Sequence, residues 1–370
     1  MMQTELNNDQ CEVVLIGCGS PLRGMGWYHA MQLLKNKCPS GKLVYVVEPW
    51  FLGAGKETPG GQDFAKFVDE TKEKDSAVGF FSAVKDLPEV SEGKQRLALI
   101  SGRTADNPRL LTEAIDAGCK TIYLEKPGAP SVDALAAMKK EAEEKGVTVL
   151  MGYNKNVCKY VRNAREKATE TEGSHVTFVS NNTYENTKES LGECFERNCE
   201  GMLKNMAIHE LALLVSFYDV SVDNIDTVTA DKEFSSCQTL AGPSGTEFTD
   251  FDKIKFTIKT KTGKAVSVQA DRCGGDTSYA KVEKDDVEVF RHSMPDEEDK
   301  ANVEALEIEY PGAMPYFFSQ DPDYITVKER VSKFCANGVE AEGVATIDIA
   351  LKTLQVAEYL TPILTEQLQG

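Results

Sequence analysis

Short apolar runs alternate with amphipathic stretches through the first 151 residues, and this alternation constrains the fold more than any other feature of the chain. The stretches between the runs have the spacing of apolar residues that indicates surface helices. Strands that alternate with helices through short connections form βαβ units, which assemble a parallel sheet. We therefore predict a doubly wound α/β domain over residues 1–151. The predicted strands are 12–16, 42–47, 97–100, 121–124 and 147–151.

The pattern changes after Gly152, where alternating, hairpin-like runs replace the strand–helix repeat. Residues 253–261 and 264–272 flank Thr262-Gly263, a pair that favours a tight antiparallel turn. A helical insert is predicted at 200–218. This pattern indicates an α+β region that is separate from the parallel sheet.

The second predicted domain covers residues 152–370 and contains a large, mostly antiparallel sheet that is open on one face. The alternation at 304–309 predicts one of its strands. The periodicity at 344–367 predicts a C-terminal helix, which either stays with this domain or packs back on the first. Because a sheet face without helices favours a partner, we expect a homodimer or homotetramer.

Composition narrows the classes of partner. With 370 residues the chain exceeds one ordinary core, which agrees with two domains. A net charge of −18 argues against nucleic acid or an anionic membrane as the main partner. No apolar run reaches the roughly 18 residues of a membrane span. The polar, acidic start at 1–12 does not fit a signal peptide.

The ten cysteines are scattered, which fits reduced thiols in a cytoplasmic protein. Cys194 and Cys199 form the closest pair, and no histidine stands at zinc-finger spacing from them. We therefore expect no metal site.

A glycine-rich segment directly follows the first predicted strand. A GxG at the end of a strand allows a tight turn and brings a dinucleotide pyrophosphate to the N-terminus of the next helix. The segment has this form with extra loop residues, and Gly26 takes the place of the third glycine. We predict cofactor contacts at Gly17, Gly19, Ser20, Arg23 and Gly26.

The second predicted strand ends at Glu48, where dinucleotide-binding domains carry the acidic residue that accepts hydrogen bonds from the ribose. A carboxylate there repels a 2′-phosphate, so NAD(H) is favoured. Arg23 could offset this repulsion, which keeps NADP(H) as an alternative. Trp50 is predicted either to cover the adenine or to pack within the protein. The alternative to this whole interpretation is a doubly wound domain without a cofactor.

The fourth predicted strand runs directly into Glu125-Lys126-Pro127. The carboxyl ends of parallel strands form the ligand-binding edge of an open α/β sheet. A proline after the lysine fixes the backbone and can allow a cis bond. We therefore predict that Lys126 polarises a substrate oxygen or nitrogen, and that Glu125 and Lys126 lie against the cofactor. Taken by itself, the tripeptide would fit a surface turn.

With these motifs in place, the chain resembles the glucose–fructose oxidoreductase/inositol dehydrogenase (Gfo/Idh/MocA) superfamily over nearly its whole length. The resemblance includes Gly152-Tyr153-Asn154, similar to the segment that enters the family's second domain, and residues 201–209, similar to its catalytic helix. It implies a Rossmann domain followed by an α/β domain whose open sheet often mediates oligomerisation. It also implies hydride transfer between a nicotinamide ring and a carbon bearing a hydroxyl, carbonyl or amine.

Asn205 and His209 are four residues apart, so a continuous helix would place both on one face. His209 suits general acid–base catalysis because its ordinary pKa lies near neutrality; a buried core histidine is the alternative. The family usually has Asp where this chain has Asn205. An amide can orient the imidazole but cannot stabilise its charged form as a carboxylate does. We therefore expect a lower pKa for His209 than an aspartate partner would give.

Four further residues are candidates for substrate contacts. Tyr153 and Asn154 stand at the predicted domain junction, with interdomain packing as the alternative. Lys155 and Lys204 would make the site locally basic and suit a carboxylate-bearing or otherwise anionic substrate. Ordinary solvated lysines are the alternative for this pair.

The predicted function is that of an NAD(P)(H)-dependent oxidoreductase, a dehydrogenase or reductase acting on a small polar molecule. A sugar, a polyol and a carboxylate-bearing keto or imino compound all fit. One alternative is a non-catalytic NAD-binding sensor or regulatory protein of the same fold, which Asn205 keeps open. Another is a lyase or glycosidase that recycles NAD within its site.

Overall fold

A computed structural model describes residues 9–369 of the chain. The polar start at 1–8, which argued against a signal peptide, lies outside this range. In chain order the elements are β1 (Cys11–Ile16), α1 (Met25–Leu34), β2 (Gly41–Val47), α2 (Pro59–Lys74), β3 (Gly79–Phe81), β4 (Arg96–Ile100), α3 (Asn107–Asp116), β5 (Thr121–Leu124), α4 (Val132–Glu144), β6 (Thr148–Met151), α5 (Lys159–Glu170), β7 (His175–Asn181), α6 (Lys188–Arg197), α7 (Met202–Asn205), α8 (Ile208–Phe217), β8 (Ile225–Ala230), β9 (Ser236–Ala241), β10 (Glu247–Thr260), β11 (Ala265–Asp271), β12 (Ser278–Lys284), β13 (Val287–Met294), α9 (Glu297–Glu309), α10 (Tyr316–Ser319), α11 (Asp321–Asn337) and α12 (Ile347–Gln369).

The first of two compact units contains a six-stranded sheet in the order β3-β2-β1-β4-β5-β6. Every neighbouring pair is parallel. The strand order reverses between β1 and β4, so the carboxyl ends of these strands form a topological switch point. β1, β4 and β5 are buried at every position, as expected for strands covered on both faces. The predicted Rossmann fold is confirmed.

Part of the cover of this sheet comes from a distant stretch of the chain. Among the described residues, the first unit consists of 9–154 together with 300–348. Within it, α11 packs against β1, β2, β4 and β5. The sequence analysis had assigned all of 152–370 to the second domain. The apolar face of α11 was compatible with either core, and only the fold shows which sheet it covers.

Residues 304–309 form the end of α9, so the strand predicted there is wrong. Their alternation of charged and apolar residues imitates the two-residue period of a strand. Only Leu306 of this helix is buried, whereas Ile308 is 83% exposed. With one buried side chain, the segment has no repeat of buried positions from which periodicity could distinguish a strand from a helix.

The second unit consists of 155–299 and the residues from Ile349 onwards. Its sheet has the order β13-β12-β7-β11-β10-β8, with β9 paired to β10. Only β7 and β11 pair in parallel, so the sheet is mostly antiparallel, as predicted. The predicted hairpin is β10–β11, and Gly263 in its turn has a φ of +86°.

The C-terminal helix α12 lies with the second unit from Ile349 onwards. Near its end, the Gln367 amide donates to the Val228 carbonyl oxygen and accepts from the Ala230 N–H, which ties the helix to β8. Within residues 9–369, no helix combines the length and the hydropathy that crossing a bilayer requires.

Candidate functional site

The glycine-rich loop leads from the carboxyl end of β1 into α1. Gly17 and Gly19 have φ values of +84° and +73°, which side chains disfavour. A Cβ on Gly17 would lie 2.7 Å from the Gly102 backbone, and one on Gly26 would lie 2.1 Å from the Gly17 carbonyl oxygen. Gly26 therefore allows α1 to approach β1, as the third glycine of the fingerprint does. This backbone cradle fits a dinucleotide pyrophosphate.

The extra residues of the loop form a compact turn. The Ser20 carbonyl oxygen accepts from the N–H groups of Arg23 and Gly24, at 3.1 and 2.8 Å. The Leu22 carbonyl oxygen accepts from the Met314 N–H at 3.1 Å, and the Arg23 guanidinium lies 3.4 Å from the Met314 sulfur. The long phosphate loop is thus anchored on the returning segment of the first unit. The predicted contact of Arg23 with a ribose stays a prediction.

Glu48 follows β2 directly and is only 4% exposed. One carboxylate oxygen accepts from the Gly19 N–H at 2.8 Å, and the other accepts from the Trp50 N–H at 3.1 Å. The acidic residue therefore lies against the glycine-rich loop, where an NAD-binding domain needs it. Trp50 is 54% exposed and its indole covers Gly55, since a Cβ there would lie 2.3 Å from the indole nitrogen.

Glu125-Lys126-Pro127 follows the carboxyl end of β5, and the Lys126–Pro127 bond is cis. Lys126 therefore stands at the same sheet edge as the glycine-rich loop, because β1 and β5 both run parallel to β4. The Glu125 carboxylate accepts from His29 Nε2 and from the Tyr123 hydroxyl, both at 2.9 Å. Burial raises the pKa of Glu125, but the hydrogen bonds from His29 and Tyr123 bring it below its ordinary value.

Tyrosines surround this carboxylate. Burial, and then the charge of Glu125, raise the pKa of Tyr153 and bring that of Tyr316 to about 12. Gly152 passes so close that a Cβ would lie 2.7 Å from the Glu125 oxygen and 2.8 Å from the Tyr123 hydroxyl. Any side chain at Gly152 would therefore displace the Glu125 carboxylate or the tyrosine.

The structure adds two residues that sequence reasoning missed, Gln320 and Lys328. Asn154, a predicted substrate contact, donates from its amide to the Gln320 side chain at 2.9 Å. His29 Nδ1 lies 3.0 Å from the Lys328 ammonium. Gln320 and Lys328 belong to the returning segment 300–348, which no local pattern connects with the strand ends. His29 had a signal, since it follows Gly26 by less than one helical turn.

In the second unit, the helix predicted to carry Asn205 and His209 is interrupted. α7 ends at Asn205, α8 begins at Ile208, and the Ala207 N–H donates to the Met202 carbonyl oxygen. The prediction of one continuous helix is wrong, because a wider turn separates the two segments. His209 lies in the first turn of α8 and is 9% exposed, and the Asn205 amide donates to Glu200 at 2.9 Å.

The two candidate lysines of the second unit both pair with carboxylates. The Lys155 ammonium lies 2.5 Å from a Glu210 oxygen and donates to the Ser180 hydroxyl at 3.2 Å, and its side chain is 7% exposed. The Lys204 ammonium lies 2.8 Å from a Glu358 oxygen. Lys155 is therefore not the solvated lysine that the sequence left as the alternative, whereas the Lys204 side chain is 23% exposed and its partner Glu358 is 41% exposed. A role of either in substrate binding stays a prediction.

A cavity of about 1020 Å³ lies elsewhere in the first unit, between α1, α2 and Tyr310. Its wall combines aromatic side chains with lysines and carboxylates, and it includes neither Glu48 nor Lys126. The size of the cavity therefore does not identify the reaction site, whereas the glycine-rich loop and the strand ends do.

Comparison with known proteins agrees with this geometry. The family model GFO_IDH_MocA, described as an oxidoreductase family with an NAD-binding Rossmann fold, matches residues 12–153. Residues 12–153 belong to this family. The matched segment contains the glycine-rich loop, Glu48 and Lys126, and we conclude that it forms an NAD-binding domain. No curated protein matches the chain.

Solved structures show the same fold over nearly the whole chain. A myo-inositol dehydrogenase from Corynebacterium glutamicum is 17% identical, with a TM-score of 0.66 and 97% of each chain covered. A probable dehydrogenase from Thermotoga maritima is 15% identical, with a TM-score of 0.66 and coverage of 97% of this chain and 96% of that one. A scyllo-inositol dehydrogenase from Lactobacillus casei with bound NAD(H) and scyllo-inositol is 11% identical, with a TM-score of 0.63 and 97% of each chain covered.

Proposed function

We propose that the protein is an NAD-dependent dehydrogenase that oxidises a secondary alcohol of a polyol or sugar and reduces the product in the reverse direction. The observation that carries this proposal is the placement of Lys126. Within one unit, a lysine at the end of β5 shares a sheet edge with a glycine-rich loop and with Glu48. The inositol dehydrogenases among the similar folds support the choice of a polyol.

Bound NAD⁺ would supply the acceptor for the hydride of the alcohol carbon. The Lys126 ammonium donates a hydrogen bond to the reacting oxygen and stabilises the negative charge that develops there. Glu125, whose pKa the charge of Lys126 helps to lower, provides the compensating negative charge. The Gly17–Gly19 backbone and the N-terminus of α1 would hold the pyrophosphate, and Glu48 would accept from the adenosine ribose.

We further propose that His209 accepts the hydroxyl proton, with Asn205 orienting the ring. The support is chemical: imidazole is a base near neutrality, and His209 lies in the first turn of α8. Tyr153, Asn154, Lys155 and Lys204 are retained as candidate substrate contacts. The pairing of both lysines with carboxylates favours an uncharged polyol over an anionic substrate.

Cofactor preference is tested by titrating the protein with NADH and NADPH and following energy transfer from tryptophan to nicotinamide. We expect micromolar binding of NADH and at least tenfold weaker binding of NADPH, because Glu48 repels a 2′-phosphate. A Glu48→Ser variant should narrow this difference. The Trp50→Phe variant shows which tryptophan is the fluorescence donor, since the only other tryptophan is Trp27. Absence of binding to either cofactor would refute the proposal.

Substrate is tested by incubating the protein with NAD⁺ and myo-inositol, scyllo-inositol or common hexoses, and following NADH absorbance. Sustained NADH production supports a dehydrogenase. Conversion of a glycoside without net NADH would instead show that NAD is recycled. Tight NADH binding with no turnover of any substrate would favour the sensor alternative.

We also propose a cytoplasmic homodimer or homotetramer. The support is the polar surface of the second sheet, where Lys255 on β10 and Lys281 on β12, with β11 and β7 between them, are both partly exposed. Light scattering coupled to size exclusion measures the assembly, and a monomer at micromolar concentration would contradict the proposal.

A further inference from the structure

Glu125 is the end of a buried chain of hydrogen bonds that starts near the surface of the first unit. Lys37, whose side chain is 31% exposed, pairs with Asp321 at 3.4 Å. Asp321 accepts from the Gln32 amide at 2.6 Å, and the Gln32 carbonyl oxygen accepts from Lys328. Lys328 then contacts His29, and His29 contacts Glu125. The chain connects α11 to α1 and α1 to the turn that carries Lys126.

The donor and acceptor roles along this chain are determined by chemistry. An ammonium has three hydrogens and no acceptor. The Lys328 ammonium has three partners: the Gln32 carbonyl oxygen, the Tyr324 carbonyl oxygen at 2.9 Å and His29 Nδ1 at 3.0 Å. His29 Nδ1 must therefore accept, and its ring proton resides on Nε2. That nitrogen donates to Glu125 at 2.9 Å.

The His29 ring is also fixed sterically. It is fully buried, with Tyr123 and Tyr324 edge-on to it at 5.7 and 5.6 Å between ring centres. Burial and the Lys328 charge lower the pKa of His29 to about 4, so the ring is neutral at physiological pH. Burial also lowers the pKa of Lys328 to about 8, which leaves it mostly protonated near neutrality.

We propose that His29 is a positioning residue: oriented by Lys328, it holds the Glu125 carboxylate in the pose that supports the Lys126 ammonium. The inference rests on the proposed function, in which Lys126 acts on the substrate. The Tyr123 hydroxyl reinforces the same carboxylate oxygen, and Gly152 leaves room for it. Tyr153 and Tyr316 are the other titratable groups near this carboxylate.

Positioning of Glu125 and relay of a proton make different demands on the side chain at position 29. A relay needs a ring that takes up and releases a proton, whereas positioning needs only a donor towards Glu125 and an acceptor towards Lys328. Glutamine offers both groups and does not titrate. His29→Gln should therefore preserve the function of the network, and His29→Met, of similar volume, should abolish it.

The test measures the reactivity of Lys126 without any substrate. A small amine-reactive reagent is applied at several pH values, and the labelling of Lys126 is quantified by peptide mass spectrometry. In His29→Met the Glu125 carboxylate loses the donor that fixes its pose and can turn away from Lys126, so Lys126 loses its anionic support. We expect the pKa of Lys126 to fall by about one unit, which accelerates labelling about tenfold at a pH below that pKa.

His29→Gln and a control outside the network, Lys140→Met, whose side chain is 77% exposed, should label Lys126 within about twofold of the wild-type rate. NADH binding confirms that each variant is folded. Wild-type labelling in a folded His29→Met variant, or accelerated labelling in His29→Gln, would overturn the inference. Because no turnover is measured, a shift in labelling supports the network even if no polyol proves to be a substrate.

Nitrogen NMR of the wild-type protein provides a second test if His29→Met does not fold. The chain contains only four histidines, so the His29 signals are assigned by their loss in His29→Gln. We expect a neutral Nε2–H ring that does not titrate above about pH 5. A proton on Nδ1, or an imidazolium at neutral pH, would contradict the proposed orientation.

Discussion

Each unit buries a lysine, but the two clusters around these lysines are built differently. In the first unit, the hydrogens of Lys328 all have partners, and the chain of hydrogen bonds ends at Glu125. In the second unit, Lys155 forms a short, self-contained pair with Glu210. The other Glu210 oxygen is buried and has no hydrogen-bond partner among the described residues.

We interpret the Lys328 cluster as a network that orients a reacting group, and the Lys155–Glu210 pair as an interaction that stabilises the fold. The first cluster ends beside Lys126, so a change within it should alter reactivity. The second connects the segment after Asn154 with α8, and with β7 through Ser180. Breaking that pair leaves an uncompensated charge in the interior, so a change within it should alter stability.

The largest expected effect is on catalysis in the first unit. Lys126→Ala should lower kcat roughly 10²- to 10⁴-fold, because a charged donor to the reacting oxygen is lost. The Kd for NADH should change less than threefold. Steady-state kinetics and the fluorescence titration measure these quantities. Lys140→Ala is the matched control, since that side chain is 77% exposed. An equal loss of NADH binding in Lys126→Ala would show that the lysine is structural.

Lys155→Met should act on stability instead. Removing the lysine leaves Glu210 charged and buried, which costs about 3–5 kcal/mol of unfolding free energy. Urea denaturation measures this loss, and cofactor affinity of the folded protein should stay unchanged. Replacing both members, Lys155→Met with Glu210→Leu, should recover most of the stability. A single variant as stable as the wild type would mean that the pair contributes nothing.

The first unit also shows which parts of a site can be predicted from the sequence. Gly17, Gly26, Glu48 and Lys126 were predictable because each belongs to a motif written over a few tens of residues next to a strand. Their positions follow from the order of parallel strands alone. Lys328 was not predictable in this way. It lies on a helix almost 300 residues from its partner on α1, and a lysine in an amphipathic helix ordinarily indicates a solvated face.

The second unit shows a different limit. The positions of Asn205 and His209 were predicted from a spacing that assumes an unbroken helix. The wide turn between α7 and α8 depends on tertiary contacts, such as the Met202 N–H donating to Asp250 at 3.0 Å. Local periodicity contains no information on a partner 48 residues away. The sequence could therefore name Asn205 and His209 as candidates, but it could not predict their relative placement.

The two clusters should also differ in their response to acid. The pKa of His29 is about 4 in the folded protein against an ordinary 6.5, so the unfolded chain binds more protons between these values. Stability must fall as the pH falls through this window, by about 3 kcal/mol from this residue. Urea denaturation at several pH values, compared with His29→Gln, isolates the contribution. Equal slopes of stability against pH in the two proteins would contradict the assigned pKa.

The smallest expected effect is on the pKa of His209. The Asn205→Asp variant introduces a carboxylate partner for a histidine of the second unit, as His29 has in the first. His29 has a carboxylate partner, whereas the residue four positions before His209 is the amide Asn205. Asn205→Asp should raise the pKa of His209 by about one unit, because a nearby anion favours the imidazolium. Histidine NMR measures the titration, with Asn205→Ser as the uncharged control.

The new aspartate would also lie near Glu200, which now accepts from the Asn205 amide. Aspartate cannot donate that bond, and like charges repel, so its carboxylate should turn away from Glu200. Combining Asn205→Asp with Glu200→Gln removes this repulsion. If the repulsion is what turns the aspartate towards the His209 ring, the double variant should raise the pKa of His209 less than Asn205→Asp alone. An unchanged pKa of His209 in both variants would show that residue 205 does not orient the imidazole, and would leave the interrupted helix as a structural element only.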